Sequence, residues 1–553
     1  MSELNPSLDT LAGADDASWV AWWKRAVVYQ IYPRSFQDSN GDGVGDLPGI
    51  TQRLDYLQWL GVDAIWISPI YPSPMADFGY DVSDYTGIHP MFGTLPDFDQ
   101  LVEEAHRRNL KVILDYVPNH TSNQHPWFQE SHSSRNNPKR DWYIWKDASP
   151  EGSPPTNWVS NFGGPAWTWD EETKQYYYHA YLPEQPDLNW RNPEVQQAMF
   201  DVLRFWLERG VDGFRVDALR QIIKDDEWRD NPPSEDCQQS QNPYDALDPV
   251  YTTDRPEVMQ VVTQMRQVLE EYKGETSADR VMIGELYLPI ERLVAYYGTE
   301  GKGCHLPFNF HLISTPWKAS VIADLIRRYE EALPPNGWPN WVLGNHDQHR
   351  LATRLGAAQT HIAAMLLLTL RGTPTLYYGD ELGMPDIPIP SHQVQDPWEK
   401  RVPGRGLGRD PERTPMQWDT SPNAGFTEEN PWLPLGEDYA AQNVAVQQND
   451  PDSILSLYRR LLQLRRQEPT LRFGLYDWVK SQGSVLAYQR TEANMSYLVA
   501  LNLDDQLAEF IWEGAGKVVL GTQRQREGGR IQGKITLAES EGLIVRVENS
   551  KGI

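Results

Sequence analysis

Eight short β-branched or aromatic runs recur through the first two thirds of the chain, at residues 27–32, 64–68, 112–117, 213–216, 281–284, 308–312, 341–343 and 375–378. Amphipathic stretches separate them, and this alternation calls for a parallel sheet wrapped by helices. Between the third and fourth runs, Asn192 caps a helix, Pro193 takes its first position, and Val195, Met199, Val202 and Trp206 recur at helical spacing until Gly210. Leu54, Leu57 and Leu60 before Gly61 give a second example. No Gly-rich dinucleotide loop follows the first run, so the pattern predicts an α/β fold of the (β/α)8 TIM-barrel type in preference to an open doubly wound sheet.

Spacing adds two attachments. Gly213 lies 96 residues beyond Val117, against about 30 for one strand-helix unit of a ~250-residue barrel. The excess is rich in Trp, Tyr, Asn, Pro and Gly, which predicts a small inserted domain after strand three. After residue 470 short strands punctuated by Gly or Asp predict a C-terminal all-β sandwich. The expected division is barrel over 1–120 and 188–470, with a loop-rich excursion at 385–439, inserted domain over 121–187, and β domain over 471–553.

Charge and cysteine content narrow the partners. Fifty Lys plus Arg against 77 Asp plus Glu leave a net charge of −27, a field that repels nucleic acid and anionic membranes. Neutral small molecules are the expected partners. Residues 1–19 lack the basic start and apolar core of a signal peptide, and the strongest apolar stretch, 363–370, is far short of the ~18 residues of a membrane span. Cys237 and Cys304 stand alone without a C-x-x-C spacing, so a cytoplasmic setting is expected.

Chemistry on a barrel gathers where its strands end, and four runs finish in a carboxylate: DYVPNH at 115–120, GFRVD at 213–217, GE at 284–285 and GNHD at 344–347. Asp217, Glu285 and Asp347, with Arg215, His120 and His346 beside them, suit metal ligation or glycosidic cleavage. Arg215 opposes a cation at the same strand end, whereas glycoside chemistry uses the set: one carboxylate attacks the anomeric carbon and a protonated one donates to the leaving oxygen.

These segments, in this order, resemble the four motifs of the α-amylase superfamily, glycoside hydrolase family 13. QPDLN at 185–189 and RTPMQW at 413–418 resemble its oligo-1,6-glucosidase and α-glucosidase branch, which also holds trehalulose- and trehalose-forming relatives. The resemblance implies Asp217 as nucleophile, Glu285 as general acid/base and Asp347 as the group that holds the distorted sugar ring. Arg215, His120 and His346 line the same subsite. DFGYD at 77–81 is similar to the motif in which Tyr80 stacks under the terminal glucose and Asp77 meets its outer hydroxyls. Arg413 is expected to pair with Asp77 and close the pocket, which means exo action; Phe162 is a further sugar contact. Ala218 follows the nucleophile where a Val accompanies α-1,6 cleavage, so ring-linked glucosides such as maltose are expected to be preferred.

The loop DSNGDGVGD at 38–46 places oxygen side chains at alternate positions, as a hard cation requires, although Gly49 stands where an EF-hand has its bidentate Glu. The resemblance implies a structural Ca2+ or Mg2+ on Asp38, Asn40, Asp42, the Val44 carbonyl and Asp46, and no organic cofactor. The implied activity is a retaining exo-α-glucosidase acting on short oligosaccharides or disaccharides. The alternative is a transglucosylase or a sucrose/trehalose-type isomerase using the same residues. A silent barrel of the kind found in amino-acid transporter heavy chains would have lost these carboxylates and carry a membrane span.

Overall fold

The computed structural model describes residues 20–235, 242–272 and 279–548. The expectations for residues 1–19 and Cys237 lie outside the described residues. Among the described residues, ten strands precede the C-terminal region: β1 (Val28–Ile31), β2 (Ala64–Ile67), β3 (Lys111–Tyr116), β4 (Trp145–Lys146), β5 (Trp167–Asp170), β6 (Gln175–Tyr178), β7 (Gly213–Val216), β8 (Val281–Gly284), β9 (Leu306–Pro307) and β10 (Thr375–Tyr377). Seven of them form one parallel sheet in the order β10-β1-β2-β3-β7-β8-β9.

The barrel closes where the sequence predicts a strand over 341–343. Trp341 bridges Asn309 and Val342 bridges Thr375, each as a single parallel pair, so the eighth position is filled by two bridges in place of a full strand. The run at 308–312 also differs from expectation. Pro307 has no N–H to extend the ladder, and the Asn309 side chain accepts from the His311 N–H at 3.1 Å, turning the chain into the helix His311–Ser314.

Period-two alternation sorts the strand residues. Val28, Ala64, Trp66, Ile113, Val281, Ile283, Leu306 and Phe308 pack together inside the barrel. Tyr29, Ile31, Ile65, Ile67, Val112, Leu114, Phe214 and Val216 face the surrounding helices. The same alternation places Gln30, Asp115, Arg215, Asp217 and Glu285 on the inward register at the strands' C-terminal ends. The helices are built from ordinary signals: Thr94 and Asp97 form a reciprocal capping box at Leu95–Arg107, and Asn192 caps Pro193–Glu208.

The insertion after β3 is a three-stranded antiparallel sheet, order β4-β6-β5. Its two ends are joined at the barrel rim by the antiparallel bridge His120–Asp187, and Tyr143, from within the insertion, bridges the adjoining Leu188. At the other end of the chain, β11 (Leu475–Gln482), β12 (Val485–Glu492), β13 (Met495–Asn502), β14 (Ala508–Gly521), β15 (Arg530–Leu537) and β16 (Gly542–Val547) make one antiparallel sheet in the order β11-β12-β13-β16-β14-β15. Register shifts in β14 at Trp512/Ala515 and Val518/Leu520 bend it. The Trp478 ring of β11 then stacks 6.2 Å from Phe510 of β14, so the two layers of the expected sandwich come from one continuous sheet. The opposite face, with Leu486, Tyr488, Val499 and Leu501, joins the barrel's outer core. Among the described residues no helix is long and apolar enough to cross a membrane.

Gly213 fixes the spacing of the strand that carries Arg215 and Asp217, since a Cβ there would lie 2.4 Å from both Cγ1 and the carbonyl oxygen of Val281. Gly213→Ala is expected to cost about 1–3 kcal/mol of stability, as overpacking does, and to lower kcat by displacing both side chains. Urea unfolding and steady-state kinetics measure the two effects; a variant equal to wild type in both refutes the tight spacing.

Candidate active site

At the C-terminal ends of the strands the inward residues meet around one guanidinium. Arg215, 1% exposed, gives Nη1 to Asp115 (2.8 Å) and Asp217 (2.6 Å) and Nη2 to Glu285 (3.0 Å). It lies over the Trp66 ring at 5.1 Å, and Trp66 donates its indole N–H to Asp115 at 3.1 Å. Burial pushes the Asp115 carboxyl up to about 6, with Arg215 pulling against it. Burial also raises Asp217 above the usual carboxylate range; Arg215 again opposes, while Glu285 and Asp115 add to the rise. Three carboxyl groups on one guanidinium would carry a net charge of −2 if all ionised, so the cluster favours retaining a proton, and that proton belongs to the group as a whole.

After β7 the chain turns through Ala218, whose φ of 48° is left-handed. This turn aims the Ala218 N–H at Glu285 Oε2, 2.7 Å away, fixing one carboxyl oxygen relative to the neighbouring strand. His346 is held by Gln30 through Nδ1 (2.8 Å) and by the Tyr80 hydroxyl through Nε2 (2.7 Å). Tyr80 also donates to Asp115 at 3.1 Å. Burial drives the His120 imidazole down to about 4, so it is neutral at pH 7; it donates from Nε2 to the Tyr80 carbonyl at 3.1 Å.

A second charge network forms the far wall. Asp347 meets Arg413 Nη2 at 2.8 Å and Arg409 Nη1 at 3.1 Å. Burial pushes Asp347 up, but His346, Arg409 and Arg413 outweigh it and hold the carboxyl well below its ordinary range. The expected pair of Arg413 with Asp77 does not form. Arg413 is fully buried behind Asp347, with Nε on the His346 carbonyl at 2.7 Å and its guanidinium over the Tyr32 ring at 5.3 Å. Arg409 takes that place, reaching Asp77 at 2.7 Å and Asp396 at 2.7 Å. Two arginines stand close together in this segment, and local sequence does not distinguish the one that faces the pocket.

These groups enclose a cavity of about 380 Å³ lined by Asp77, Tyr80, His120, Phe162, Asp217, Ala218, Glu285, His346 and Asp347. Arg215 and Arg413 stand behind that wall. Sequence reasoning missed Arg409, Tyr181, Tyr287 and Trp398, which also line it, and Gln185, whose amide bonds Asp77 at 3.2 Å. The QPDLN segment signalled Gln185. Its Asp187 instead sits on Lys224 beneath the insertion. Phe162, from the insertion, packs against Trp398 (5.3 Å) and under the Arg409 guanidinium (5.0 Å), both from the excursion after β10.

The loop after β1 lies apart from this cavity. Asp38 accepts from the N–H groups of Asn40 (2.9 Å), Gly41 (2.8 Å) and Gly43 (2.9 Å) and from Thr427 Oγ1 (2.6 Å). Asn40 accepts from the Asp42 N–H (3.0 Å), and Asp42 from the Val44 N–H (2.9 Å). Asp46 caps the helix Leu47–Gln52 through the Gly49 N–H at 2.7 Å and holds Ser39. These bonds set the turn: each Asp38 oxygen already accepts two of them, whereas Asn40 Oδ1, Asp42 Oδ1 and Asp46 Oδ1 accept one each and keep a second lone pair. The donor set is all oxygen, the chemistry a hard cation takes, but a cation on Asp38 would have to displace bonds that now hold the turn.

Comparison with known proteins agrees with this geometry. The family described as "Alpha amylase, catalytic domain" matches residues 30–474. A probable alpha-glucosidase of Rhizobium meliloti (strain 1021) is 43% identical over 503 residues, covering 88% of this chain and 90% of the relative. An oligo-1,6-glucosidase of Parageobacillus thermoglucosidasius is 38% identical, covering 88% and 92%. The crystal structure of the alpha-glucosyl transfer enzyme XgtA superposes with a TM-score of 0.90 at 41% identity, covering 96% of this chain and 100% of that one. With a barrel whose inward strand ends gather Asp217, Glu285 and Asp347, and a family match across most of its length, the chain belongs to the α-amylase family.

Proposed function

We propose that the protein is a retaining, exo-acting α-glucosidase that releases glucose from the non-reducing end of short α-glucosides. The observation that carries the reading is the binding of Asp217 and Glu285 to opposite nitrogens of one guanidinium, inside a pocket walled at its far side by Asp77, Arg409 and Asp347. Sharing one Arg215 supports the short carboxyl separation of a retaining pair, about 5–5.5 Å. Asp217 attacks the anomeric carbon as a carboxylate while Glu285 gives its proton to the departing oxygen. The glucosyl–Asp217 ester is then opened by water, whose proton returns to Glu285. Asp347, kept ionised by two arginines, faces the positive charge that develops on the ring. The likeness to XgtA favours, as a second reading, transfer of the glucosyl group to an acceptor hydroxyl in place of water.

Ala218 supports a preference for ring-linked bonds, because its small side chain leaves room beside Glu285 for the leaving sugar. The same reading includes a structural Ca2+ or Mg2+ on Asp38, Asn40, Asp42, the Val44 carbonyl and Asp46, away from the chemistry. It also includes a cytoplasmic setting, supported by Cys304, a buried free thiol.

Asp217→Asn is expected to abolish turnover of every glucoside, whereas Glu285→Gln should spare the first step with activated aryl glucosides and fail with poor leaving groups. Proton NMR of the first-formed product should show α-glucose; β-glucose, or near-native turnover by Asp217→Asn, overturns the mechanism. For linkage, wild type should favour maltose over isomaltose in kcat/KM by roughly tenfold to a few hundredfold, the worth of a methylene-scale pocket change. Ala218→Val should move that ratio toward isomaltose while costing about 1–2 kcal/mol, since a β-branched residue enters a left-handed position. Faster cleavage of isomaltose than of both maltose and sucrose by wild type defeats the argument. Chelation with EDTA should lower Tm and leave kcat at 25 °C unchanged; an unaltered melting curve together with no bound metal by elemental analysis rules out the structural cation.

A further inference from the structure

The barrel has a second cavity, about 410 Å³, at the end opposite the carboxylates. It opens where β1, β2 and β3 begin, at Val27, Asp63 and Lys111, and its other wall is the helix pair Ile454–Gln467 and Pro469–Phe473 that leads into the C-terminal sheet. Its charge reverses that of the molecule. Arg25, Lys111, Arg465, Arg466 and Arg472 line it against one carboxylate, Asp63, in a chain with a net charge of −27.

Part of that positive charge has no counter-charge in contact. Lys111 reaches Asp212 at 3.0 Å and Arg466 reaches Asp63 at 2.9 Å. Arg465, 1% exposed, bonds only neutral backbone carbonyls, among them Leu368 at 3.0 Å and Leu471 at 2.9 Å, and its Nε has no partner. Arg472 likewise has a buried Nε without a partner, and its guanidinium rests over the Phe473 ring at 5.3 Å. Neither Arg465 nor Arg472 touches a carboxylate among the described residues. Burial, then Arg490 and Arg472, bring Arg465 down to about 9, the mark of a guanidinium whose charge the surroundings do not repay.

We propose that this cavity binds a small molecule bearing a phosphate group, held by Arg465 and Arg472 with Arg466 and Lys111 at its rim. A phosphate dianion supplies the counter-charge that the buried Arg465 and the half-buried Arg472 lack and accepts several of their N–H groups at once. The volume exceeds what phosphate alone fills, so a sugar phosphate suits it. Arg465 and Arg466 sit on the last barrel helix and Arg472 on the short helix that enters β11, so the bound anion spans the junction between the barrel and the C-terminal domain. The proposal is independent of the glucosidase reading, since no lining residue belongs to the catalytic pocket.

The test is calorimetric titration and thermal unfolding with inorganic phosphate and with glucose 6-phosphate, against sodium chloride at matched ionic strength. Wild type should bind saturably with a submillimolar Kd and gain Tm, with kcat and KM for maltose unchanged. Arg472→Gln and Arg466→Gln, at half-exposed and exposed positions, should each weaken binding at least tenfold while folding normally. Tighter binding of glucose 6-phosphate assigns a sugar phosphate and tighter binding of inorganic phosphate assigns the free anion; either supports the site. No heat and no Tm gain beyond the chloride control, undiminished affinity in both variants, or competition with maltose overturns it.

Discussion

One buried guanidinium organises the upper half of the barrel. Arg215 has no water to solvate it, and an unpaired charge at that depth would cost several kcal/mol. It is repaid by carboxylates from three adjacent strands, Asp115 on β3, Asp217 after β7 and Glu285 after β8. Those three acids in turn depend on it, because removing the arginine would leave like charges facing one another in a site from which solvent is largely excluded. Breaking such an arrangement by deleting one partner is expensive even where the intact network adds little net stability. The proposed chemistry thus uses a cluster whose proton is held jointly, which is how one site can keep an attacking carboxylate and a donating carboxyl a few ångströms apart.

The second network has a different logic. Asp77, Asp347 and Asp396 come from the loops after β2, after the closing bridge and after β10, and Arg409 touches all three. Arg413 lies deeper and braces Asp347 from behind. The wall is therefore a tie between loops that would otherwise be independent, and the Phe162 ring wedged under Arg409 extends the tie to the insertion. The insertion and the excursion also meet through Arg401, which donates to the Gly163 carbonyl at 3.2 Å.

Much of this was legible in the sequence, and the failures have physical causes. β7 announces itself because its inward Arg215 and outward Phe214 and Val216 alternate in sequence as in space, whereas β2, apolar on both faces, reads as a short β-branched and aromatic run. Carboxylates at strand ends were legible for the same reason. The run at 341–343 reads as a strand but is only a pair of bridges, since pairing extends no further than the neighbouring backbones allow, and Pro307 ends one of them. Arg409 and Arg413 are chemically equivalent in sequence; depth beneath Asp347 decides between them, and depth is a property of packing alone. The C-terminal strands were legible as strands, but the bend that lets one sheet make two layers resides in backbone register at Trp512/Ala515, marked in sequence only by Gly514, and at Val518/Leu520, marked by no residue type.

Barrel closure has a consequence for synthesis. β1 pairs on one side with β2, which follows within about forty residues, and on the other with β10, where the Val28 N–H donates to the carbonyl of Pro374, a residue that leaves the ribosome more than three hundred residues later. At ~5–20 residues per second the wait lasts from about twenty seconds to more than a minute. Throughout it, β1 presents an open edge, Val28–Ile31, apolar or aromatic apart from the Gln30 amide, to any extended chain nearby. The half-made barrel is thus a sheet with a sticky margin, and its safety in the cell rests on how long that margin stays uncovered.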